Sequence, residues 1–402
     1  MEQKRKILSD SIWSVAGLVL MNVTLQFAIY PIWERRLGEA GLGGILYLIS
    51  LMNVFSVSMG VSVNYARMKK SAVGVTSNKP YLIILGIASI IAYMVGIGIS
   101  LFGGVEMSFM ETAMFGVVMC ATMWRYYADV EYKLFLNYKS FFLYYLFISV
   151  GYLIGIGLFY LTGLWPLTLV VGELSGLLYV WLRGRIFRID VSEEKLSVVA
   201  KMTVVLFGSE ALSTLIFNAD RIMLKALLGD VEVTRFYLAS LLGKTIALLT
   251  VPLSGVIIGY LSKYKGSLKA KGMNIIVALS AGAVVLATLA CTVGSYIVIP
   301  ILYPAQFASI KAYFIITNLS QVLYFVANVI TVVLLRFASS RYQLYVNAAY
   351  AVAFVAICIP FTANGGFDGF CAGLAITCFI RFITSVFLGY FCVFSKKNSV
   401  DE

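Results

Sequence analysis

The segment FNADRIMLKALLGDVEVTRFYLAS, residues 217–240, carries six charged side chains in a chain where only 12% of the residues are charged. It overlaps the ends of two long apolar runs, residues 202–219 and 236–260. A helix needs about 20 apolar residues to cross a hydrocarbon core of about 30 Å, and both runs are close to that length or longer. The segment therefore predicts a hairpin in which a charged connection joins two membrane helices.

The rest of the chain repeats this pattern. Of its 402 residues 61% are hydrophobic, which is far more apolar surface than one soluble core needs. Strands of a membrane barrel are about ten residues long and alternate in polarity, so apolar runs of this length require helices. We predict an all-α polytopic membrane protein with twelve transmembrane helices, at residues 12–33, 42–63, 81–102, 108–124, 141–162, 165–182, 202–219, 236–260, 274–301, 312–335, 344–362 and 370–394.

The basic residues predict the orientation of these helices. The N-terminus and every second connection hold 23 of the 31 lysines and arginines, whereas the alternate connections hold six. Short cytoplasmic loops are enriched in Lys and Arg, so both termini are predicted to be cytoplasmic. The net charge of +12 is spread over many connections and forms no single face, which argues against a nucleic acid partner.

The charged connection 183–201 follows six predicted spans and divides the chain into a lobe at residues 1–195 and a lobe at residues 196–402. The outer hairpins of the two lobes are similar. Leu37-Gly38 matches Leu228-Gly229, and the sequence YLISL from Tyr47 matches YLASL from Tyr237. Six spans per lobe give both lobes the same orientation, so we expect a parallel pseudo-repeat with a cavity between the lobes and alternating access.

These two hairpins resemble the signatures of Wzx-type polysaccharide flippases, which belong to the multidrug/oligosaccharidyl-lipid/polysaccharide (MOP) exporter superfamily. The second hairpin has the pattern Asn-x-Asp-Arg, Leu-Gly and Tyr-x-Ala-Ser, and the first, YPIWERRLGEAGLGGILYLISL, has Tyr-Pro and Arg-x-Leu-Gly. The resemblance implies a MATE-like fold in the bacterial cytoplasmic membrane. It also implies an undecaprenyl-diphosphate-linked oligosaccharide as substrate, with a polysaccharide polymerase and a chain-length regulator as further partners beside the membrane lipid.

Four charged residues lie within predicted spans, where a charge is costly and marks a functional candidate. Lys244 and Arg381 are expected to face the cavity and attract the diphosphate of the substrate, because both are strong phosphate ligands. Glu210 and Glu173 are the candidates for ion coupling. The alternative is structural, with Glu210 and Lys244 joined as an ion pair between neighbouring helices.

Amide side chains follow one face of several spans and could line a passage for sugars. They are Asn22 and Gln26 in the first span, Asn53 and Asn64 in or next to the second, and Asn318 and Gln321 in the tenth. Small and polar residues also mediate helix packing in lipid, which remains the alternative for them. The hairpin charges Asp220, Arg221, Arg35 and Arg36 are assigned to an outer gate or to a structural role.

The sequence indicates no metal and no cofactor. It has no histidine, and its six cysteines lack the spacing of metal ligands. It also lacks a Walker-type glycine loop, so an ion gradient or the flux of substrate would drive transport.

Two other functions fit the sequence less well than the flippase does. A multidrug or cation antiporter of the same superfamily commonly carries acidic residues in its first span, but this chain has none between Asp10 and Glu34. A membrane polysaccharide polymerase would carry a large outer loop, whereas the longest outer connection here is predicted to be sixteen residues, 220–235.

Overall fold

A computed structural model describes residues 2–71, 77–188, 195–248, 268, 270–337 and 341–398. All regular secondary structure in these ranges is helical. The prediction of an all-α protein is therefore confirmed.

The chain divides into two compact units, Met1–Lys225 and Ala226–Glu402. The helices of the first unit are α1 (Glu2–Val23), α2 (Tyr30–Met52), α3 (Ser58–Ser71), α4 (Lys79–Phe102), α5 (Phe109–Phe135), α6 (Tyr138–Thr162), α7 (Pro166–Arg183) and α8 (Leu196–Leu227). Two π-helical segments, Thr24–Ile29 and Asn53–Val57, connect α1 to α2 and α2 to α3. In this unit α6 packs on α7 and α1, and α5 packs on α3, α4 and α7.

The helices of the second unit are α9 (Asp230–Leu248), α10 (Ala270–Leu302), the short α11 (Phe307–Ile310), α12 (Phe314–Phe337), α13 (Arg341–Ala353) and α14 (Ile359–Asn398). A 3-10 turn at Lys311–Tyr313 precedes α12, and a π-helical segment at Phe354–Cys358 joins α13 to α14. Helix α12 lies at the centre of this unit and packs on α9, α10 and α14.

Helix α8 belongs to the first unit along nearly its whole length, although the sequence placed it at the start of the second lobe. Ser58 Oγ donates to Thr214 Oγ1 at 3.0 Å, and the rings of Phe55 and Phe207 meet at 5.6 Å. The lobe boundary at residue 195 stays a prediction about the repeat, whereas the compact units meet at residue 225.

Seven segments of the described chain are long and apolar enough to cross a membrane. Two of them, Ile12–Ser71 and Tyr342–Phe394, are 60 and 53 residues long and include Gly38 and Gly366 with φ of 76° and 56°. A glycine with positive φ redirects the chain, so each long segment comprises two of the predicted spans. The predicted spans lie on helices over nearly their whole length. Residues 249–260 of the eighth span are outside the described residues. The number of crossings and their orientation stay predictions.

The charged segment 217–240 is helical on both sides of a two-residue turn. Helix α8 ends at Leu227 and α9 begins at Asp230, so both helices extend into the segment 220–235 that was predicted as a connection. The charges suit helix ends, because Lys225 lies in the last turn of α8 and Asp230 and Glu232 lie in the first turn of α9. Charge along the sequence was therefore a poor guide to the helix boundary.

The two hairpins that the sequence paired have matching local structure. Gly38 and Gly229 both have positive φ, 76° and 96°. Ser50 and Ser240 are both fully buried, and each donates its hydroxyl to the carbonyl four residues earlier, at 2.8 and 2.7 Å. The resemblance between the hairpins thus extends to turn geometry and packing.

Helices α6 and α7 approach each other closely through glycines. Gly151 and Gly155 on α6 and Gly172 and Gly176 on α7 are each spaced by four residues. A Cβ atom built on Gly151 would lie 2.8 Å from Gly172 Cα, and one on Gly155 would lie 2.7 Å from Thr168 Cα. Small residues at this spacing allow two membrane helices to pack backbone to backbone.

Candidate functional site

Arg381 lies on α14 in the second unit, and only 3% of its surface is exposed. Its guanidinium is held by side chains from α12 and α13. Nη2 donates to Asn328 Oδ1 at 2.7 Å and to Asn347 Oδ1 at 2.8 Å. The rings of Tyr324 and Tyr350 lie 4.3 and 5.1 Å from the guanidinium carbon, within the range of cation–π attraction.

These two amides and two tyrosine rings form a cage around Arg381. The cage leaves part of the guanidinium without a hydrogen-bond partner. Nε and Nη1 are buried and make no hydrogen bond within the described residues. No carboxylate of the described chain lies within salt-bridge distance of Arg381, and the amides and rings that hold it are neutral. A buried positive charge with two unused donors favours an anion, and the fork of the guanidinium suits a phosphate.

The first unit also has a buried arginine, but there a carboxylate neutralises it. Arg125 on α5 contacts Glu173 on α7 through Nε and Oε2, and both side chains are about 5% exposed. Tyr152 donates its hydroxyl to Glu173 Oε1 at 2.9 Å, and the ring of Tyr126 lies 4.1 Å from the guanidinium carbon. Arg125 and Arg381 therefore differ in whether the protein supplies the anion.

This pair bears on one expectation from the sequence and adds a residue that the sequence did not single out. Arg125 follows the predicted span 108–124, and in the structure α5 continues to Phe135 with Arg125 buried within it. Glu173 forms the ion pair with Arg125, which is a structural role. Its role in ion coupling stays a prediction. The signal that could have placed Arg125 is the helical spacing of Arg125, Asp129 and Tyr132, all buried on α5.

Lys244 and Glu210 lie in different units. Lys244 is buried on α9, directly after Gly243, and Glu210 is half-buried on α8. The proposed pairing of these two residues stays a prediction, as does the role of each at a cavity.

The predicted amides near α12 take part in helix packing. Asn318 is fully buried; its Oδ1 accepts from the backbone N–H of Gly243 at 2.8 Å, and its Nδ2 donates to Ser295 Oγ at 3.2 Å and to Phe314 O at 2.8 Å. Gln321 is buried against Gly243 as well. In the first unit, Asn64 donates to Tyr126 O at 3.0 Å.

The other predicted amides coincide with the π-helical segments. Asn22 lies just before the first segment and donates to Leu18 O at 2.8 Å, while Gln26 lies within it. Asn53 begins the second segment. All three are half-buried. A π-helical turn inside a helix is frequently found at a functional site, so these amides stay candidates for ligand contacts.

The hairpin charges are divided between buried and exposed positions. Asp220 and Arg221 are buried, and Asp220 Oδ1 accepts from the backbone N–H of Arg221 at 2.8 Å. Arg35 and Arg36 are exposed, and the guanidinium carbon of Arg36 lies 4.4 Å from the ring of Tyr160. None of the described His, Cys, Asp and Glu residues form a group of three that could hold a metal ion.

The sequence predicted Arg381 but missed most of its cage. Asn347, Tyr324 and Tyr350 gave no separate signal, because asparagine and tyrosine are common in membrane helices for packing and for interfacial anchoring. Spacings of four residues within α12 and three within α13 place each Asn–Tyr pair on one helix face. Only the packing of three helices shows that both faces meet Arg381.

The comparisons with known proteins decide the fold. No family model matches the chain, and no curated protein matches it. A solved outward-facing MATE family multidrug resistance transporter of the MOP superfamily superposes with a TM-score of 0.62 at 14% identity, covering 98% of this chain and 96% of that one. The fold is that of MATE transporters.

Two further structures have this fold. An inward-facing MATE family multidrug resistance transporter gives a TM-score of 0.65 at 13% identity and covers 96% of this chain and 99% of that chain. The bent form of the Vibrio cholerae MATE transporter VcmN gives 0.65 at 14% identity, with 98% and 97% covered. The MATE fold thus extends over nearly the whole chain, in agreement with the fold that the hairpin signatures implied.

Proposed function

We propose that this protein is a flippase that moves undecaprenyl-diphosphate-linked oligosaccharide units from the cytoplasmic to the outer leaflet of the bacterial cytoplasmic membrane. The observation that carries the proposal is Arg381, a buried guanidinium with two unused donors and no carboxylate partner in the described chain. The MATE fold is found in transporters, and the hairpin signatures resemble those of polysaccharide flippases. The flipped units would enter O-antigen, capsule or exopolysaccharide biosynthesis.

In this mechanism Arg381 binds phosphate oxygens through Nε and Nη1. The bonds of Nη2 to Asn328 and Asn347 fix the plane of the guanidinium, so little side-chain freedom is lost when the anion arrives. Lys244 supplies a second cation of the same unit. The polyprenyl tail stays in the lipid, and alternating access carries the diphosphate and the sugars across the membrane.

A second candidate is a multidrug or cation antiporter, because structures with this fold include multidrug resistance transporters. A cationic substrate needs an acidic partner, and Glu210 is the half-buried carboxylate available for it in a predicted span. The absence of acidic residues between Asp10 and Glu34 and the uncompensated Arg381 favour an anionic substrate.

Equilibrium binding distinguishes the two candidates. The purified chain is titrated with undecaprenyl diphosphate and, separately, with tetraphenylphosphonium as a cationic probe. We expect Arg381→Gln to weaken diphosphate binding by about tenfold or more, because hydrogen bonds between charged groups are among the strongest that a protein makes. Arg381→Lys, which keeps the charge and loses the fork, should weaken binding less.

The matched control is Lys311→Gln, which removes an exposed cation from the same unit and should leave the affinity unchanged. Equal diphosphate affinity of the wild type and both Arg381 variants would contradict the site. Binding of tetraphenylphosphonium without binding of the diphosphate would favour the antiporter.

A further inference from the structure

An apolar groove lies on the surface of the first unit, between α4, α5 and α7. Its volume is about 710 Å³, and its lining includes Leu82, Trp124, Leu174, Leu178, Trp181 and Phe187. Leu174, Leu178 and Trp181 follow one face of α7, and each is exposed, Trp181 to 68%. At 1.5 Å per residue they extend over about 10 Å, roughly a third of the thickness of a hydrocarbon core.

The wall formed by Phe187 is held in place by buried polar residues. The backbone N–H of Ile186 donates to Glu131 Oε2 at 2.9 Å. Asn78 Nδ2 donates to the carbonyls of Arg185 and Arg188 at 3.2 and 3.1 Å. The segment that follows α7 is therefore fixed on the first unit.

Trp124 completes this wall. Its ring lies 5.7 Å from that of Phe187, and its indole N–H is satisfied by Ser89 Oγ at 2.8 Å. The groove is thus preformed and needs no rearrangement before an apolar chain can enter it.

Three exposed arginines come directly after the groove-lining part of α7 in the sequence. Arg183 ends α7 two residues after Trp181, and Arg185 and Arg188 lie on either side of Phe187. None of the three forms a salt bridge with a carboxylate of the described residues. This end of α7 is the one that the distribution of basic residues predicts to be cytoplasmic, where anionic lipids attract basic residues.

We propose that this groove binds an anionic phospholipid of the cytoplasmic leaflet. The upper part of one acyl chain lies between α4 and α7, against Trp124, Trp181 and Phe187, and the phosphate lies at Arg183, Arg185 and Arg188. Charge complementarity and the fixed aromatic wall support this position. The site lies in the first unit and does not depend on the substrate proposed for Arg381 in the second.

Native mass spectrometry of the detergent-purified full chain tests the proposal, with phosphatidylglycerol and phosphatidylcholine of identical acyl chains as probes. We expect the wild type to retain phosphatidylglycerol in preference to phosphatidylcholine. The variant with Arg183→Gln, Arg185→Gln and Arg188→Gln should lose this preference, with an affinity for phosphatidylglycerol lower by about tenfold or more. Leu178→Trp, which fills the groove, should weaken retention of both lipids.

Two matched variants serve as controls. Lys195→Gln, Lys201→Gln and Lys271→Gln together remove three exposed charges from the same predicted side, and Leu182→Trp enlarges an exposed leucine of α7 outside the groove. Both should bind like the wild type. The proposal is overturned if the arginine variant keeps the preference, if the lysine variant loses it equally, or if the two tryptophan variants behave alike.

Discussion

At the scale of the residue, Arg125 and Arg381 show two ways of burying a positive charge in a predicted membrane protein. Arg125 is neutralised by Glu173 within the first unit. Arg381 is held by two amides and two tyrosine rings, which orient the charge without cancelling it. Since a buried charge is costly unless it is paired, the first arrangement serves stability and the second is suited to an anionic ligand.

The Arg125–Glu173 pair makes a prediction about stability. Glu173→Gln leaves a buried guanidinium without its carboxylate and should destabilise the protein by about 3–5 kcal/mol. The double variant Arg125→Met, Glu173→Leu removes both charges and should be close to the wild type in stability. Thermal unfolding of the purified variants in detergent measures the difference.

Lys133→Gln is the control for this cycle, because Lys133 Nζ is 3.9 Å from Asp129 Oδ2 and its side chain is 32% exposed. It should cost less than about 1 kcal/mol. If the double variant unfolds at as low a temperature as Glu173→Gln, removing both charges does not restore stability and this account of Arg125 is wrong.

At the scale of the element, glycine determines how helices turn and how closely they pack. The positive-φ glycines of the described chain, Gly38, Gly104, Gly163, Gly229 and Gly366, all lie in connections predicted to be outside. These connections are short, and glycine reaches the left-handed conformation without the steric cost of a Cβ atom. Within α6, in contrast, Gly151 and Gly155 allow the helix to pack closely against α7.

The contact between α6 and α7 can be tested within one helix. Gly155→Val should lower the unfolding temperature strongly, because a Cβ at this position would lie 2.7 Å from the backbone of Thr168. Gly157→Val changes the same residue type two positions further along α6, where a Cβ meets no atom within 4 Å. We expect little change for Gly157→Val, and equal destabilisation of both variants would show that helix propensity, and not packing, governs α6.

At the scale of the whole molecule, the MATE fold extends over nearly all of the chain at 13–14% sequence identity in the structures compared above. Many apolar sequences satisfy the same helix packing, so the fold survives where sequence similarity is lost. Substrate choice depends on a few side chains, and Arg381 with its cage is the set that we propose for this chain.

Orientation in the membrane gives the prediction at this scale. Ala40→Cys follows the turn at Gly38, and Lys195→Cys precedes α8; both positions are exposed. A membrane-impermeant maleimide added to intact cells should label Ala40→Cys and not Lys195→Cys, because the basic residues place the latter in the cytoplasm. Labelling in permeabilised cells should reach both, and the unmodified chain supplies the background from its native cysteines. The opposite pattern in intact cells would invert the topology.

Most of the helices and the charged candidates could be predicted from the sequence, because they depend on properties read along the chain. Apolar length indicated the helices, and the Leu-Gly pairs that match between the two hairpins lie at the turns formed by Gly38 and Gly229. A charge within an apolar run identified Arg381 and Glu173. The helix boundaries at 217–240 could not be predicted in this way, since charged residues are also favourable in the last turn of α8 and the first turn of α9.

The sequence by itself thus determined the helical membrane architecture. It also showed that Arg381 is a charge within an apolar span, where a charge is costly and indicates a specific role. Only the tertiary structure decided which charges are neutralised. Arg125 and Glu173 are 48 residues apart in sequence, and Asn328, Asn347 and Arg381 lie on three separate helices. Contacts between distant helices follow from packing in three dimensions, and no local pattern along the chain encodes them.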